Sequence, residues 1–278
     1  PLQDMGVEVI YGSQAPLFST WIKACGAELD CVLLSRPTVA RDYLPNIRKF
    51  SSARVAYYGH DLHHARMELQ AKIQGSRVSP REVAEMKELE RSIWRAVDVV
   101  LYPSVEEVDA VRAAEPAVNA QVICPYAFSS TGEARGLAGR QGLLFVAGFQ
   151  HPPNVDAAVW LVQDIMPLIR AQFPGVALTL AGSNPTDEVK ALAGPDVTVT
   201  GAVSSERLLD LYAGARVALI PLRFGAGIKL KVVEAMHEGL PLVTTAVGKQ
   251  GMLAIDDVVH SSDEAEGFAG AVTRLLKD

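Results

Sequence analysis

A glycine turn, two lysines and a carboxylate follow one another near residue 230 at a spacing that suits phosphate binding. An apolar run from Val217 to Pro221, which predicts a buried strand, comes first, and Arg223 follows it. The turn is Gly225-Ala226-Gly227-Ile228, and the helix expected after it carries Lys229, Lys231 and Glu234. A helix N-terminus offers free backbone N–H groups and the positive end of a dipole. We therefore expect a nucleotide diphosphate here, with lysines and turn N–H groups on its phosphates and Glu234 on its ribose hydroxyls.

The helix after this turn also has a simpler interpretation. Ile228, Val232, Met236 and Leu240 recur every four residues and predict its buried face. Lys231 and Glu234 lie off that face, so they could form an exposed ion pair that contributes roughly 0.3–0.5 kcal/mol. The position directly after a buried strand favours ligand binding, because ligands of open α/β sheets bind outside the carboxyl ends of strands. The spacing matches neither a P-loop nor Gly-x-Gly-x-x-Gly.

A second polar cluster, His60-Asp61, stands at the end of another apolar run. His60 and His64 are four residues apart, as two metal ligands on one helical face would be, but no third ligand is evident. The alternative is a solvated histidine in a turn, with Asp61 as the N-cap of the helix that follows. Arg66 stands one turn further along.

These residues sit in a chain where apolar strands alternate with helical stretches. The predicted strands of the first half are Val7–Tyr11, Cys31–Leu34, Val55–Tyr58, Val97–Tyr102 and Gln121–Cys124. Those of the second half are Leu143–Ala147, Val176–Ala181, Val197–Thr200, Val217–Pro221 and Leu242–Thr244. The pattern predicts βαβ units and parallel sheets.

A small, polar stretch in the middle of the chain predicts two Rossmann-like domains in series. We expect an N-terminal domain over residues 1–130, a linker over 131–142 and a C-terminal domain over 143–278. Leu2 to Gly6 resembles the last turn of a helix with its glycine stop. The first domain is therefore expected to lack its first strand.

Composition narrows the function classes. The chain has 49% hydrophobic residues and a formal net charge of -6, which argues against a general nucleic-acid binder. No apolar run approaches the roughly 20 residues of a membrane span. Three cysteines without metal-ligand spacing are typical of reduced thiols in a cytoplasmic protein. The charged stretch from Arg81 to Arg95 predicts an ordinary surface helix, with a peripheral membrane or acceptor contact as the alternative.

Several stretches in one order resemble a known family. The segment from Gly225 to Thr245 closely resembles the donor site of the GT-B fold, family-four (group 1) retaining glycosyltransferases. Phe145 to Phe149 with Pro153-Asn154 resembles the opening strand and loop of their C-terminal domain. Leu180 to Ser183 resembles its central strand, and Val199 to Val203 the loop that contacts the base. The resemblance covers the chain well from Gly142 onwards and more loosely before it.

The resemblance implies transfer of a sugar from a nucleotide-diphosphate sugar, without a metal or cofactor, and with retention of anomeric configuration. It implies a glycan or lipid-linked acceptor, as in bacterial surface polysaccharide synthesis at the inner face of the membrane. His60 would face the transferred sugar, which makes His60, Asp61 and Lys231 the catalytic candidates. The implied donor-binding residues are Gly148, Asn154, Gly201, Ala202, Val203, Arg223, Gly225, Ala226, Gly227, Ile228, Lys229, Lys231 and Glu234.

Two departures from the family pattern keep other functions open. Ala226 stands eight residues before Glu234, where many of these enzymes carry a first glutamate. The frequent Arg-and-Lys phosphate pair is replaced by the loop from Gly148 to Asn154, so phosphate charge would fall on Lys229, Lys231 and Arg223. The alternative functions are a nucleotide-sugar epimerase and a non-catalytic GT-B module that binds a nucleotide or a partner.

Overall fold

The computed structural model describes residues 2–13, 15–75, 78–124, 126–128, 136–252 and 254–277. Within them the chain forms two parallel sheets, each with its own hydrophobic core. The first core is built from residues between Ile22 and Ala120, and the second from residues between Leu143 and Val272. The predicted α/β class with two parallel sheets is confirmed. The predicted domain boundaries stay a prediction, and residues 131–135 of the expected linker lie outside the described residues.

The first sheet has four parallel strands in the order β1-β2-β3-β4. The strands are β1 (Cys31–Ser35), β2 (Arg54–Tyr58), β3 (Val99–Tyr102) and β4 (Ala120–Val122). The helices are α1 (Phe18–Cys25), α2 (Pro37–Phe50), α3 (His63–Gln74), α4 (Pro80–Ala96) and α5 (Val105–Ala114). Ser79 caps α4 through a reciprocal bond with Glu82, so the helix begins one residue before the charged stretch predicted from the sequence.

The second sheet has six parallel strands in the order β10-β9-β8-β5-β6-β7. The strands are β5 (Leu143–Val146), β6 (Leu178–Ala181), β7 (Val197–Gly201), β8 (Val217–Ile220), β9 (Leu242–Thr244) and β10 (His260–Ser261). Numbered within this half, the order is 3-2-1-4-5-6, the doubly wound order of dinucleotide-binding folds. The strand order reverses between β5 and β8, and ligands bind at such a switch point.

The helices of the second half cover both faces of its sheet. They are α6 (Pro152–Trp160), α7 (Met166–Gln172), α8 (Asp187–Lys190), α9 (Ser205–Gly214), α10 (Leu230–His237) and α11 (Ala265–Lys277). A π-helical segment, Leu161–Ile165, joins α6 to α7. No helix of the described residues combines the length and apolar character that crossing a bilayer requires.

Two elements of the structure differ from the prediction made from the sequence. The predicted strand at Val7–Tyr11 is wrong: these residues have no regular structure, and most of their side chains are exposed. An apolar stretch forms a strand only when a neighbour accepts its ladder of hydrogen bonds, and β1 pairs with β2 alone among the described strands. β10 is absent from the prediction because two residues carry no periodicity.

The last helix of the chain should contribute strongly to the stability of the second half. The Phe268 side chain is fully buried, with its ring edge-on to Trp160 at a centroid distance of 6.2 Å. We expect Phe268→Ala to lower the free energy of unfolding by about 3–5 kcal/mol, because it removes buried area and leaves a cavity. Urea denaturation measures this difference.

The matched control lies on the same helix. A Cβ added at Gly270 meets no atom within 4 Å, so Gly270→Ala should leave stability unchanged or raise it by up to about 1 kcal/mol. Equal losses in both variants would contradict the packing role of Phe268.

Candidate active site between the two sheets

The two halves enclose a cavity of about 370 Å³ at the carboxyl ends of their strands, which we call the cleft cavity. From the first half it is lined by Arg36, Tyr58, His60, Asp61, His63, Arg66 and Tyr126. From the second half it is lined by His151, Pro153, Asn154, Leu222, Phe224, Gly225, Ala226, Ile228, Lys229, Leu230 and Lys231. The predicted catalytic residues and most of the predicted phosphate-binding loop therefore face one space.

The glycine turn after β8 is followed by extended backbone before the helix begins. Gly225 and Gly227 have φ angles of 151° and 70°, and Lys229 is the N-cap of α10, which starts at Leu230. The expectation that the turn opens the helix directly is wrong, because these backbone angles are not helical. The buried Lys229 Nζ donates to the carbonyl oxygens of Ala226, at 2.9 Å, and Gly227. The ammonium group therefore stabilises its own loop.

Gly227 brings the two halves into direct contact. A Cβ on this residue would lie 2.7 Å from the His60 carbonyl oxygen and 3.3 Å from Asp61 Cβ. Only a residue without a side chain permits this approach, and its positive φ also favours glycine. The predicted donor loop and the His60-Asp61 turn are therefore adjacent walls of the cleft cavity.

Lys231 is held by a chain of hydrogen bonds that the sequence did not predict. Its Nζ donates to Asn154 Oδ1 at 2.7 Å, and Asn154 Nδ2 donates to the Gly148 carbonyl at 2.8 Å. The ammonium also lies 5.6 Å from the Phe145 ring centroid. The alternative of an exposed ion pair with Glu234 is wrong for this geometry. Burial lowers the pKa of Lys231 to about 7, with the Lys229 charge as a further cause.

A second cavity of about 370 Å³ adjoins the first and lies wholly in the second half of the chain. Its lining includes Gly148, Ala202, Val203 and Glu234, all predicted donor-binding residues, while Gly201 ends β7 directly before them. Leu230 and Lys231 line both cavities. Glu234 Oε2 accepts a hydrogen bond from the Tyr212 hydroxyl at 3.0 Å. The two cavities therefore lie on either side of Leu230 and Lys231.

The buried face of α10 differs from the predicted stripe. Val232 and Ala235 are buried, whereas Met236 is 44% exposed and Ile228 precedes the helix. Because α10 starts at Leu230, Ile228 lies before the helix and the predicted four-residue repeat loses its first member. Lys231 then borders both cavities, and Glu234 borders the second.

His60 is held by a serine that the sequence analysis missed. Ser35 Oγ, at the end of β1, lies 2.5 Å from His60 Nε2. His60 has a φ of 64°, a conformation that costs a non-glycine residue of order 1–3 kcal/mol. Burial lowers the pKa of His60, and the nearby charge of Arg36 lowers it further. These contacts orient the imidazole in the cleft cavity, and the lowered pKa favours its neutral form.

The proposed metal pair of His60 and His64 does not form on one helical face. His60 precedes α3, whereas His64 lies on it and places its Nδ1 2.6 Å from Glu90 Oε2. Within the described ranges, no cluster of three His, Cys, Asp or Glu side chains could hold a metal ion.

Asp61 is not the N-cap of α3, as one interpretation of the sequence had it. Leu62 occupies that position without a side-chain bond. Asp61 Oδ2 instead accepts from Arg66 Nε at 2.9 Å, and its Oδ1 lies 2.8 Å from His63 Nδ1. Burial alone would raise the pKa of Asp61, but the His63 and Arg66 contacts outweigh it and the pKa is lowered. Asp61 is therefore a carboxylate that orients Arg66 and His63 in the cleft cavity.

The start of α3 is capped by two carboxylates from other helices. Glu107, on α5, accepts from the Leu62 N–H at 3.3 Å. Glu90, on α4 and fully buried, accepts from the His63 N–H at 2.9 Å and the His64 N–H at 3.0 Å. A signal for Glu90 exists in the sequence, since it stands three residues before Ile93 on the buried face of the helix.

Arg223 and His151 also differ from expectation. Arg223 makes a bidentate ion pair with Asp156, at 2.6 and 2.8 Å, and borders a separate cavity with Gln74 and Glu188. Its predicted share of the phosphate charge is therefore not supported by its position. His151, which carried no motif, lines the cleft cavity, and burial lowers its pKa to about 4, with the Arg66 charge adding to this.

The glycosyl transferases group 1 family model matches residues 140–278, half of the chain. The chain belongs to this family. The matched half contains the whole second sheet, the loop after β8 and Glu234. The resemblance inferred from the motifs is therefore confirmed at the level of family.

Three relatives place the chain among known proteins. A Klebsiella pneumoniae protein described as an uncharacterized 44.6 kDa protein in the cps region is 28% identical over 116 residues, 39% of this chain and 30% of that protein. Sucrose-phosphate synthase from Thermosynechococcus elongatus superposes with a TM-score of 0.69 at 18% identity, over 94% of this chain and 68% of that one. A UDP-forming α,α-trehalose-phosphate synthase from Burkholderia vietnamiensis gives 0.70 at 13% identity, over 93% and 69%. The two structures show that the fold is that of GT-B glycosyltransferases.

Glu90 should be essential to the wall that carries His60. We expect Glu90→Gln to lower the free energy of unfolding by about 1.5–3 kcal/mol, because it weakens charge-assisted bonds to buried N–H groups. Chemical denaturation measures the loss. Glu88→Gln, on the exposed face of the same helix, is the control and should change stability by less than about 0.5 kcal/mol. Indistinguishable midpoints for the two variants would contradict the capping role.

Proposed function

We propose that this protein is a glycosyltransferase that moves a sugar from a nucleotide-diphosphate sugar to a glycan or lipid-linked acceptor. The observation that carries the proposal is the pair of adjoining cavities that meet at Lys231. One is polar and basic and lies between the halves, and the other lies wholly on the donor half. Membership of the group 1 family supports the same conclusion.

The second cavity suits the nucleoside. Its walls are formed mainly by small or apolar residues at the ends of β5, β6 and β7, which leaves room for a flat base. Glu234 supplies a carboxylate for the two ribose hydroxyls, and its bond from Tyr212 fixes the orientation of the carboxyl group. In this proposal the diphosphate lies beside Leu230 and Lys231, which line both cavities.

The diphosphate would be stabilised by Lys229, Lys231 and the N-terminus of α10. Burial lowers the pKa of Lys229 to about 8 in the ligand-free protein, although Glu107 and Asp61 act to raise it. A bound diphosphate supplies the negative charge that these ammonium groups lack, so binding favours their protonated forms. Fixed cations at the leaving group stabilise charge that grows during transfer. In the proposed reaction these side chains provide the charge, without a metal ion or cofactor.

The transferred sugar would lie between the two halves, against His60. Ser35 and the turn conformation orient this imidazole, and Asp61 orients Arg66 and His63 beside it. We propose that His60 positions the sugar while Lys231 stabilises the departing diphosphate. Retention of the anomeric configuration follows from the family resemblance. A polysaccharide acceptor is proposed because the Klebsiella pneumoniae relative comes from a cps region.

A panel of UDP, GDP, dTDP and ADP in a thermal-shift assay tests the proposed function. One of them should raise the melting temperature, since a ligand at 100 times its Kd stabilises by about 2.7 kcal/mol. Glu234→Ala should weaken binding of that nucleotide by about 5- to 150-fold, because 1–3 kcal/mol is lost when polar partners go unpaired. Calorimetry gives the affinity ratio.

Glu238→Ala is the matched control, since Glu238 ends the same helix and lines neither cavity. It should keep the wild-type affinity. Absence of binding by all four nucleotides would refute the proposed function. Unchanged affinity in Glu234→Ala would refute the ribose assignment alone.

The affinity for the nucleoside diphosphate should fall as pH rises from about 7 to 9. The pKa values of Lys231 and Lys229 are about 7 and about 8 in the free protein, and the bound anion raises both. Binding therefore takes up protons, and Kd should increase by about 3- to 10-fold per pH unit in this range. Calorimetric titrations between pH 6.5 and 9 measure the slope. Lys231→Met should reduce it, and a flat profile in the wild type would contradict the assignment.

A further inference from the structure

Two residues with unusual backbone conformations end adjacent strands of the first sheet and face the same cavity. Arg36 follows β1 with a φ of 74°, and His60 follows β2 with a φ of 64°. Both line the cleft cavity. A bulky residue at positive φ is strained, and strain of this kind concentrates at functional sites.

Arg36 has no structural task that would explain the strain. It occupies the N-cap position of α2, yet its side chain makes no capping bond. Among the described residues, no side chain forms an ion pair or hydrogen bond with its guanidinium, which is exposed at the cavity wall. Its backbone N–H donates to the Tyr58 carbonyl at 3.2 Å, so the strand ends hold its conformation. A glycine would fill the same role without strain.

When each cationic side chain of the cleft cavity is matched with an anionic group, Arg36 has no anionic partner among the described residues. Arg66 is matched by Asp61, at 2.9 Å. A diphosphate diester carries two negative charges, and Lys229 and Lys231 match it from the opposite half. Arg36 is then a cation without a counter-charge in the filled donor site. It stands next to Ser35, which contacts His60, so it lies where the transferred sugar meets the acceptor in the proposed function.

We propose that Arg36 is the centre of a second anion-binding site, which takes a phosphate or carboxylate group of the acceptor. This inference rests on the proposed function, since it names the chemical class of the acceptor. The planar guanidinium binds either group through paired hydrogen bonds. The anionic group sits on the first-sheet wall and directs an acceptor hydroxyl towards the sugar beside His60.

Ligand-observed NMR titrations of the wild type saturated with UDP test the site. The probes are glucose 6-phosphate, glucuronate and glucose, which share a hexose and differ in charge and in the anionic group. One of the two anions should bind about 10- to 100-fold more tightly than glucose, the range expected for a charge-assisted contact. Tighter binding of glucose 6-phosphate would identify the group as a phosphate, and tighter binding of glucuronate would identify it as a carboxylate.

The variants separate this site from the lysine site and from a loss of folding. Arg36→Gln should abolish the preference for the anion, and Arg36→Lys should keep part of it. Arg41→Gln, an exposed arginine of α2 outside the cavity, should behave as the wild type. Arg36→Gly should lose the preference without a lower melting temperature, because it relieves the backbone.

Three results would overturn the proposal. Equal affinities for all three hexoses would do so, and so would an anion preference that survives in Arg36→Gln. An anion that binds only when UDP is absent would belong to the lysine site, and the proposed function would then stand without this inference. If UDP itself fails to bind, the titrations are run on the free protein. Anion binding that depends on Arg36 would then support the site, while GDP, dTDP and ADP still test the proposed donor.

Discussion

The close packing of Gly227 against the His60 carbonyl is a contact on which the cleft depends. It joins a loop of the second sheet to a turn of the first with no side chain between them. Every functional group of the cleft cavity is placed relative to that contact, because the loop carries Lys229 and the turn carries His60. The geometry therefore belongs to neither sheet alone. A larger residue at this position would separate the walls before it disturbed either core.

The cleft also has an electrostatic arrangement suited to an anion. Its lysines are partly desolvated, so the ligand-free protein keeps them close to their titration points. In the proposed function, an incoming diphosphate would meet donors already oriented by Asn154 and by loop carbonyls, and less reorganisation would be needed when it binds. Asp61, in contrast, is held as a carboxylate and turns Arg66 inward. The two walls thus differ in how firmly their charges are fixed.

The sequence predicts most of the fold because its strands are apolar runs separated by amphipathic helices. It also predicts that the glycine turn and the lysines after β8 lie at the cleft cavity, and their role in donor binding stays a prediction. It fails where partners come from distant positions. Glu107 looks like a surface residue of a charged helix, Ser35 belongs to no motif, and the spacing that puts Glu90 on a buried face does not identify its partners. Arg223 looks like a phosphate ligand until Asp156, 67 residues away, takes its guanidinium. Local patterns do not encode these pairings, because they depend on how helices dock.

The capping of α3 has a consequence for how much of the chain a working site requires. The N–H groups of Leu62, His63 and His64 find their acceptors 45, 27 and 26 residues further along. The turn that holds His60 is therefore organised late in the order of synthesis, once α5 has been made and has docked. A shorter segment could contain every residue of that turn and still lack its shape. The shortest segment that can fold the His60 turn by itself must therefore extend to Glu107, because this carboxylate accepts a hydrogen bond at the start of α3.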